Sequence, residues 1–309
     1  MTLLHNPASR GGRSPAAETM RGAIRAAGHD VTYVPYAAAD AHWRAALQDA
    51  GDLLVVAGGD GTVAAVFREL ATVGPGAGTG PAQPALVTIL PLGTANNIAR
   101  SLGLLDDPEA MVARWPRLRP RPFDLGAAHG LDDLQGFVEA VGVGALTEMI
   151  GALSGPAAGL NDAIREREGL PGYIALLRDM LARRYGVPLR VTVDGHEREG
   201  TFLMAEVMNV GRVGPNLLLA GAADPSDGWL DVLLAGEPER PALEEYLDAQ
   251  RRGSAELPPL TTLRARRVTL APAEGRSLLV RRDDEVRRLH PGLAVELRVH
   301  PGALRVLAP

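Results

Sequence analysis

Leu54-Val55-Val56-Ala57-Gly58-Gly59-Asp60-Gly61-Thr62 is the stretch on which the reading of this chain turns. A short apolar run ends in three glycines around one aspartate, and residues 62–73 then space their apolar side chains as a helix does. A buried strand entering a glycine-rich turn and then a helix is the unit of a parallel, helix-covered sheet. Glycines let the backbone come close to a ligand and aim N–H groups at it. The helix N-terminus beyond adds a partial positive charge suited to phosphate. A tight turn with Thr62 as helix cap would account for the glycines alone. It would not need the acid among them.

The same pattern extends on both sides. Residues 3–5, 31–34, 53–57 and 86–90 read as short buried strands, and residues 15–27, 40–50 and 62–73 as helices, with a Gly/Pro surface loop over residues 74–84. Two further turns follow strands: His5-Asn6-Pro7-Ala8-Ser9-Arg10-Gly11-Gly12, and Pro91-Leu92-Gly93-Thr94-Ala95-Asn96-Asn97 at the start of another helix. In an open α/β sheet, ligands collect outside the carboxyl ends of the strands. One such turn is a weak signal; three on one edge predict a phosphate site.

After residue 117 the period changes to two. Residues 136–143, 189–193, 201–208, 230–234, 267–270 and 278–281 alternate as strands, with Asp194-Gly195 as a hairpin turn and helical spacing only at residues 173–185 and 241–251. A mostly antiparallel β domain is therefore expected after a boundary near residue 125. Residues 293–299 and 303–307 have strand character and are open to pairing with either domain.

Composition narrows the chemistry. The 309 residues are 46% hydrophobic with a net charge of −5, and this length predicts two domains. There is no cysteine, which excludes disulfides, thiolate nucleophiles and Cys-ligated metals. There is no lysine either: all 32 basic residues are arginine. Abundant Ala, Arg, Gly and Pro point to a GC-rich genome as the cause, and the consequence holds regardless. A P-loop lysine, a Schiff base and a protein-kinase lysine are all excluded. Slight acidity, scattered arginines and 4% aromatic residues argue against nucleic-acid binding. No apolar run is long enough to span a membrane and the N-terminus does not read as a signal peptide, so a cytoplasmic protein is expected.

Four more motifs follow in order: Asn209-Val210-Gly211, Asp224-Pro225-Ser226-Asp227-Gly228-Trp229-Leu230-Asp231, Asp283-Asp284-Glu285, and Pro301-Gly302-Ala303-Leu304-Arg305-Val306. With the three turns, they make the chain resemble, over nearly its whole length, the catalytic domain of the diacylglycerol kinase and sphingosine kinase group, of the bacterial soluble lipid kinase type. The resemblance implies an N-terminal three-layer α/β nucleotide-binding domain, residues 1–125, to which the tail 300–309 is able to return. It implies a C-terminal mostly antiparallel β-sandwich domain, residues 126–299, with the active site where the two meet. It further implies ATP and magnesium as cofactors. Gly58, Gly59, Asp60, Gly61 and Thr62 would cradle the nucleotide phosphates, with Asn6, Ser9, Thr94 and Asn96 adding hydrogen bonds. Asp60 would place the catalytic magnesium. Asp224, Asp227 and the Trp229 carbonyl match a second, structural magnesium site, although an ordinary Asx turn explains the same residues equally well. Glu285, flanked by Arg281, Arg282, Arg287 and Arg288, would be the general base.

The implied activity is transfer of the γ-phosphoryl group of ATP to a lipid hydroxyl, diacylglycerol or a related alcohol, with transient peripheral contact at the inner face of the membrane. Nucleic acid is not an expected partner, and a homodimer is left open. Two alternatives stand beside it: NAD kinase-like phosphorylation of a soluble acceptor, and a catalytically weakened nucleotide-binding regulatory protein. The departures from the family pattern motivate the latter. Asp284 replaces a glycine, so a turn needing positive φ would be strained there. Asn97 replaces a frequent Asp, Ala64-Ala65 replaces Asn-Glu, and Tyr36 stands nearest to a nucleotide-contacting Thr. The apolar stripe of Tyr173, Ile174, Leu176, Leu177, Met180 and Leu181 reads as core packing before lipid contact. Leu146, Met149, Ile150 and Leu153, in the Gly-rich residues 142–159, are a second candidate groove edge.

Overall fold

The computed structural model describes residues 1–9, 17–40, 42–48, 50–72, 86–131, 136–155, 158–183, 186–254 and 257–309. They divide into two compact units, Met1–Leu125 with Pro301–Pro309, and Gly126–His300.

The first unit alternates strand and helix: β1 (Thr2–His5), α1 (Ala17–Ala26), β2 (Thr32–Pro35), α2 (His42–Gln48), β3 (Leu54–Gly58), α3 (Asp60–Thr72), β4 (Leu86–Pro91), α4 (Asn97–Ser101) and α5 (Pro108–Arg114). The strands run parallel in the order β2-β1-β3-β4. Every residue of β3 is buried, as a strand covered on both faces must be, and this is why its sequence is a continuous apolar run rather than an alternating one. Val63, Val66, Phe67 and Leu70 supply the buried face of α3, and Phe67 meets Phe123 edge-on at 5.2 Å. Asp107 caps α5 by accepting the Ala110 N–H at 3.0 Å, with Pro108 at the first helical position. Helix α3 begins at Asp60, two residues before the expected start, so Thr62 lies inside the helix and is not its cap. Residues 10–12 of the first turn and the loop over 74–84 lie outside the described residues.

A long strand, β5 (Arg119–His129), leads into the second unit. There follow β6 (Gly136–Phe137), β7 (Ala140–Gly144), α6 (Ala145–Ser154), α7 (Ala158–Arg167), α8 (Leu170–Arg183), β8 (Val187–Val193), β9 (His196–Met208), β10 (Arg212–Val213), β11 (Leu217–Leu218), β12 (Leu230–Gly236), α9 (Arg240–Arg251), β13 (Thr262–Ala265), β14 (Arg267–Pro272), β15 (Leu278–Arg282) and β16 (Glu285–Leu289). All pairings among these strands are antiparallel; β9 pairs with β8 through its first half and with β7 and β12 through its second. Alternate residues separate two cores. Val141, Val143, Ala205, Val207, Leu230 and Val232 pack among the strands, while Ala140, Met204, Met208 and Leu233 pack under α6, α8 and α9.

Asp194 and Gly195 take φ of 44° and 88°, the paired positive values of a type I′ hairpin, and join β8 to β9. Two expectations need correction. The strand over 136–143 is interrupted at residues 138–139, and residues 142–159 carry helix α6 and the start of α7, where no helix was expected. Glycine-rich sequence has low helix propensity. Here packing overrides it: Gly144, the N-cap of α6, has φ 95°, and a Cβ on it would sit 2.2 Å from the Leu203 carbonyl oxygen. The final strand, β17 (Val295–Ala308), pairs antiparallel with β14 through Val295–Arg298 and parallel with β4 through Arg305–Val306. Each half of the tail thus pairs with one unit.

Candidate functional site

The carboxyl edge of the first unit is level: His5 is in register with Ala57, and Ala57 with Leu90, so the three turns leave the sheet side by side. Strand β1 lies between β2 and β3, so the strand order reverses at the β1–β3 boundary. Such switch points form ligand crevices in open α/β sheets. Asn6 joins the turns across this boundary. Its N–H donates to the Ala57 carbonyl at 2.9 Å, its Nδ2 donates to Thr62 Oγ1 at 2.7 Å, and its Oδ1 accepts the Ala8 N–H at 2.9 Å.

The glycines are needed here for close approach, since none of Gly58, Gly59, Gly61 and Gly93 has positive φ. A Cβ on Gly58 would meet Thr62 Cβ at 2.6 Å, and a Cβ on Gly93 would come within 2.6 Å of Gly59 Cα. The turns after β3 and β4 are therefore in backbone contact. Asp60 locks them together: its Oδ1 accepts the Ile98 N–H at 3.0 Å, so the acid of one turn caps the helix of the next. Asn96 sits in the left-handed region at φ 52°. Its amide is turned onto Gly93, with Oδ1 accepting the Gly93 N–H at 2.8 Å and Nδ2 donating to the Gly93 carbonyl at 3.0 Å. Asn96 is thus seen as the brace of the turn. Thr94 is exposed at the tip of this turn, and Gly59, Asp60 and Gly61 emerge partly exposed from a buried strand. Ser9 Oγ is buried with no hydrogen-bond partner among the described residues. Tyr36 packs its ring on Trp43 at 5.1 Å, a core contact. Sequence reasoning missed Arg100, whose Nε donates to the Ala95 carbonyl at 2.9 Å and braces the same turn.

In the second unit Glu285 opens β16, partly buried, with Oε1 accepting from Arg282 at 2.7 Å and Oε2 from Arg287 at 3.1 Å. The preceding turn corrects one expectation. Its left-handed residue is Asp283, φ 52°, and Asp284 is not in that region, so the strain expected at Asp284 does not arise. The Asp283 carboxylate points inward instead, accepting the N–H groups of Val138 at 3.0 Å and Glu139 at 2.8 Å. The sequence marked Asp283 as part of the Asp283-Asp284-Glu285 motif but not this inward role.

The acidic turn is closed by local bonds. Asp224 Oδ1 accepts from the Ser226 N–H at 3.0 Å and the Ser226 hydroxyl at 2.6 Å. Asp227 Oδ1 accepts the Trp229 N–H at 3.0 Å, and its other oxygen pairs with Arg264. Arg264 and Arg266 lie 5.2 and 4.5 Å from the centre of the Trp229 ring. The Asp231 carboxyl is pushed up to about 6, chiefly by burial, with Arg264 opposing and Asp227 adding to the rise. No group of three metal-ligating side chains occurs among the described residues. Arg264 brings positive charge to Asp227, while the recorded bonds of Asp224 are to Ser226. The local bonds of Asp224 and Asp227 are those of an Asx turn, and two carboxylates with the Trp229 carbonyl are also oxygen donors of the kind a hard cation takes, so both readings of this turn stand. Asp60 is a single, partly exposed carboxylate at a turn, an oxygen donor of the kind a hard cation accepts.

Of the apolar stripe, Ile174, Leu177 and Leu181 are core residues together with Leu146, Met149 and Leu153. Tyr173 donates its hydroxyl to Asn161 Oδ1 at 2.6 Å. His5 lies 3.2 Å from the Tyr33 hydroxyl, and burial lowers its pKa; it belongs to the core.

Comparison with known proteins bears on the family and the fold. Residues 1–128 match the family described as "Diacylglycerol kinase catalytic domain", and residues 153–308 match the "YegS C-terminal NAD kinase beta sandwich-like domain". A diacylglycerol kinase of Mycobacterium tuberculosis is 30% identical over 329 residues, covering 100% of this chain and 95% of that protein. The crystal structure of a diacylglycerol kinase from Bacillus anthracis superposes with a TM-score of 0.73 at 20% identity, covering 100% of this chain and 96% of its own. An NAD kinase from Archaeoglobus fulgidus, solved in complex with ATP, shares the fold more distantly, with a TM-score of 0.51 at 10% identity over 99% of this chain and 92% of its own. With both domain families matched in order and a full-length relative at this identity, the chain belongs to the family of diacylglycerol kinases and YegS-like lipid kinases.

Proposed function

We propose that this protein transfers the γ-phosphoryl group of ATP to the hydroxyl of a lipid alcohol, diacylglycerol or a related lipid, with magnesium. The observation that carries the nucleotide half of this reading is the joined pair of turns: Gly59 against Gly93, with Asp60 bonded to Ile98. The contact brings the backbone of two strand ends together at the sheet's switch point. In a chain without lysine, triphosphate charge must be met by such N–H groups, by arginine and by a metal.

Bound magnesium would neutralise charge on the transferring phosphoryl group. Asp60 is the residue proposed to hold it, and the turns at Asn6, Gly58–Thr62 and Thr94 are proposed to orient the phosphates. Glu285 is proposed to accept the acceptor hydroxyl's proton as the oxygen attacks phosphorus. Arg282 and Arg287 keep that carboxylate oriented in the free protein. No helix among the described residues is long and apolar enough to cross a membrane; transient surface contact with a bilayer or micelle is proposed from the class of the acceptor.

The test is transfer of label from γ-labelled ATP on mixed micelles carrying a panel of lipid alcohols, with and without magnesium. Labelled phospholipid product is expected. Product formed only on NAD in lipid-free assay would move the protein to the soluble-acceptor reading, and tight ATP binding without product on either would make it a binding protein.

A further inference from the structure

Strand β7 lies between β15 and β9, with Gly142 in register with Arg281 on one side and Glu206 on the other. Across this glycine the Arg281 guanidinium reaches the Glu206 carboxylate at 2.5 Å, and both side chains are 0% exposed. A Cβ on Gly142 would lie 2.2 Å from Glu206 Oε2, so the glycine is the slot through which the pair is made. Burial alone would lower the Arg281 pKa, but Glu206, Glu139 and Asp283 around it raise it, so the guanidinium stays charged; burial raises the Glu206 pKa, and the Arg281 charge and hydrogen bond oppose that rise. Replacing a buried pair by apolar residues is often neutral or stabilising. Stability therefore does not explain why this one is present.

Its remaining bonds all lead towards one turn. Arg281 Nη1 donates to the Asp283 carbonyl at 2.6 Å, which holds the left-handed backbone of that residue from inside. The Asp283 side chain takes the Val138 and Glu139 N–H groups. Asn209 fixes that same loop, its Nδ2 donating to the Val138 carbonyl at 3.0 Å and its N–H to the Glu139 carbonyl at 2.9 Å. The next residues of the turn are Asp284, which is exposed, and Glu285, whose orienting partner Arg282 is tied in turn to the Gly136 carbonyl at 3.0 Å. We infer that Glu206, Arg281 and Asp283 are positioning residues that set the backbone presenting Glu285. They act on the chemical step through that carboxylate and not on substrate affinity. This rests on the reading of Glu285 as the general base.

The experiment is a double-mutant cycle on the full chain in the lipid phosphorylation assay. Asp283→Asn keeps one acceptor oxygen for the 138–139 loop. It should lower kcat roughly 10- to 100-fold, with KM for ATP and lipid within about twofold, since displacement of a reacting group by ~1 Å costs that much. In a Glu285→Gln background, where a general base worth roughly 10²- to 10⁴-fold is already gone, the same change should cost less than about twofold more. Equal losses in both backgrounds overturn the positioning role and leave the base reading standing. Full turnover by Glu285→Gln alone removes the base reading, and the positioning role with it. Because Asp283→Asn could fold poorly, Glu206→Leu with Arg281→Met is the second arm. It should melt no lower than the parent and still lose kcat by about tenfold or more, with KM unmoved. A folded Leu/Met protein with the parent's kcat overturns the inference.

Discussion

Substituting Gly142 by alanine should cost far more than a methyl group on a strand ordinarily does. The added Cβ would lie 2.2 Å from Glu206 Oε2 and 2.4 Å from its carboxyl carbon. An ordinary contact starts near 3.4 Å, so the carboxylate must retreat by roughly 1.2 Å (3.4 less 2.2). That stretches the 2.5 Å ion pair with Arg281 to about 3.7 Å. Separating the partners of a buried pair costs up to about 3–5 kcal/mol, of which the Coulomb attraction given up by the stretch, at an effective dielectric near 20, is about 2 kcal/mol. Against this, alanine in a strand gains about 0.5–1 kcal/mol over glycine. The loss wins, by roughly 3 kcal/mol, in the range found when one partner of a buried pair is removed. Hydrogen exchange at the amides of β7, β9 and β15 reads this directly as about 10²-fold faster opening. With the pair replaced by Glu206→Ala and Arg281→Met, the methyl enters vacated space and the cost should fall below about 1 kcal/mol. A cost under about 1 kcal/mol in the parent, or an equal cost in both backgrounds, would refute the reasoning.

Four further substitutions test the turns of the first unit and the acidic turn of the second. Gly93→Ala sets a Cβ 2.6 Å from Gly59 Cα and 2.7 Å from Asn96 Oδ1, forcing the turns apart. ATP affinity by titration calorimetry should fall about tenfold or more, and unchanged affinity would remove these turns from the nucleotide site. Asp60→Asn keeps an acceptor for the Ile98 N–H and removes the charge, so melting should stay near the parent's while kcat drops on the order of 10²-fold. Asp60→Ala should in addition lose about 1 kcal/mol of stability with the cap. Arg264→Ala breaks a half-exposed pair and should cost less than about 1 kcal/mol. It should also make the melting temperature respond to magnesium without nucleotide, because Asp227 and Asp231 then lack their cation. A magnesium response of that kind in the parent would show that the guanidinium does not fill the cation's place.

Most of the first unit was legible because its signals are local. An apolar run too short for a helix and bounded by turn residues reads as a strand buried on both faces, and a glycine-aspartate turn before a helical pattern leaves little choice of connection. The roles inside the turns were less legible. Asn6, Asp60 and Asn96 stood out as polar residues at strand ends, but their bonds to Thr62, Ile98 and Gly93 depend on which strands are neighbours. In the second unit alternation revealed strands but not the cover over them. The helices of residues 142–159 were missed because glycine lowers their propensity, and a packed neighbour restored it. The acidic turn shows the limit most clearly: carboxylates spaced for a hard cation look the same whether a metal or an arginine from a distant strand answers them.

What the sequence determined by itself was therefore the alternation of strand and helix, the turns that follow three of the strands, the hairpin at Asp194-Gly195, and the exclusion of lysine and cysteine chemistry. These depend on period, on φ and on residue type, and all of them are properties of neighbours along the chain. Tertiary structure alone decided that Gly59 and Gly93 touch, that Arg264 closes the acidic turn, that Asp283 and not Asp284 bears the left-handed backbone, and that Arg281 and Glu206 meet over Gly142. Each of these joins residues far apart in the chain or on different strands, and the energy of a close contact or a buried charge exists only once the strands are paired.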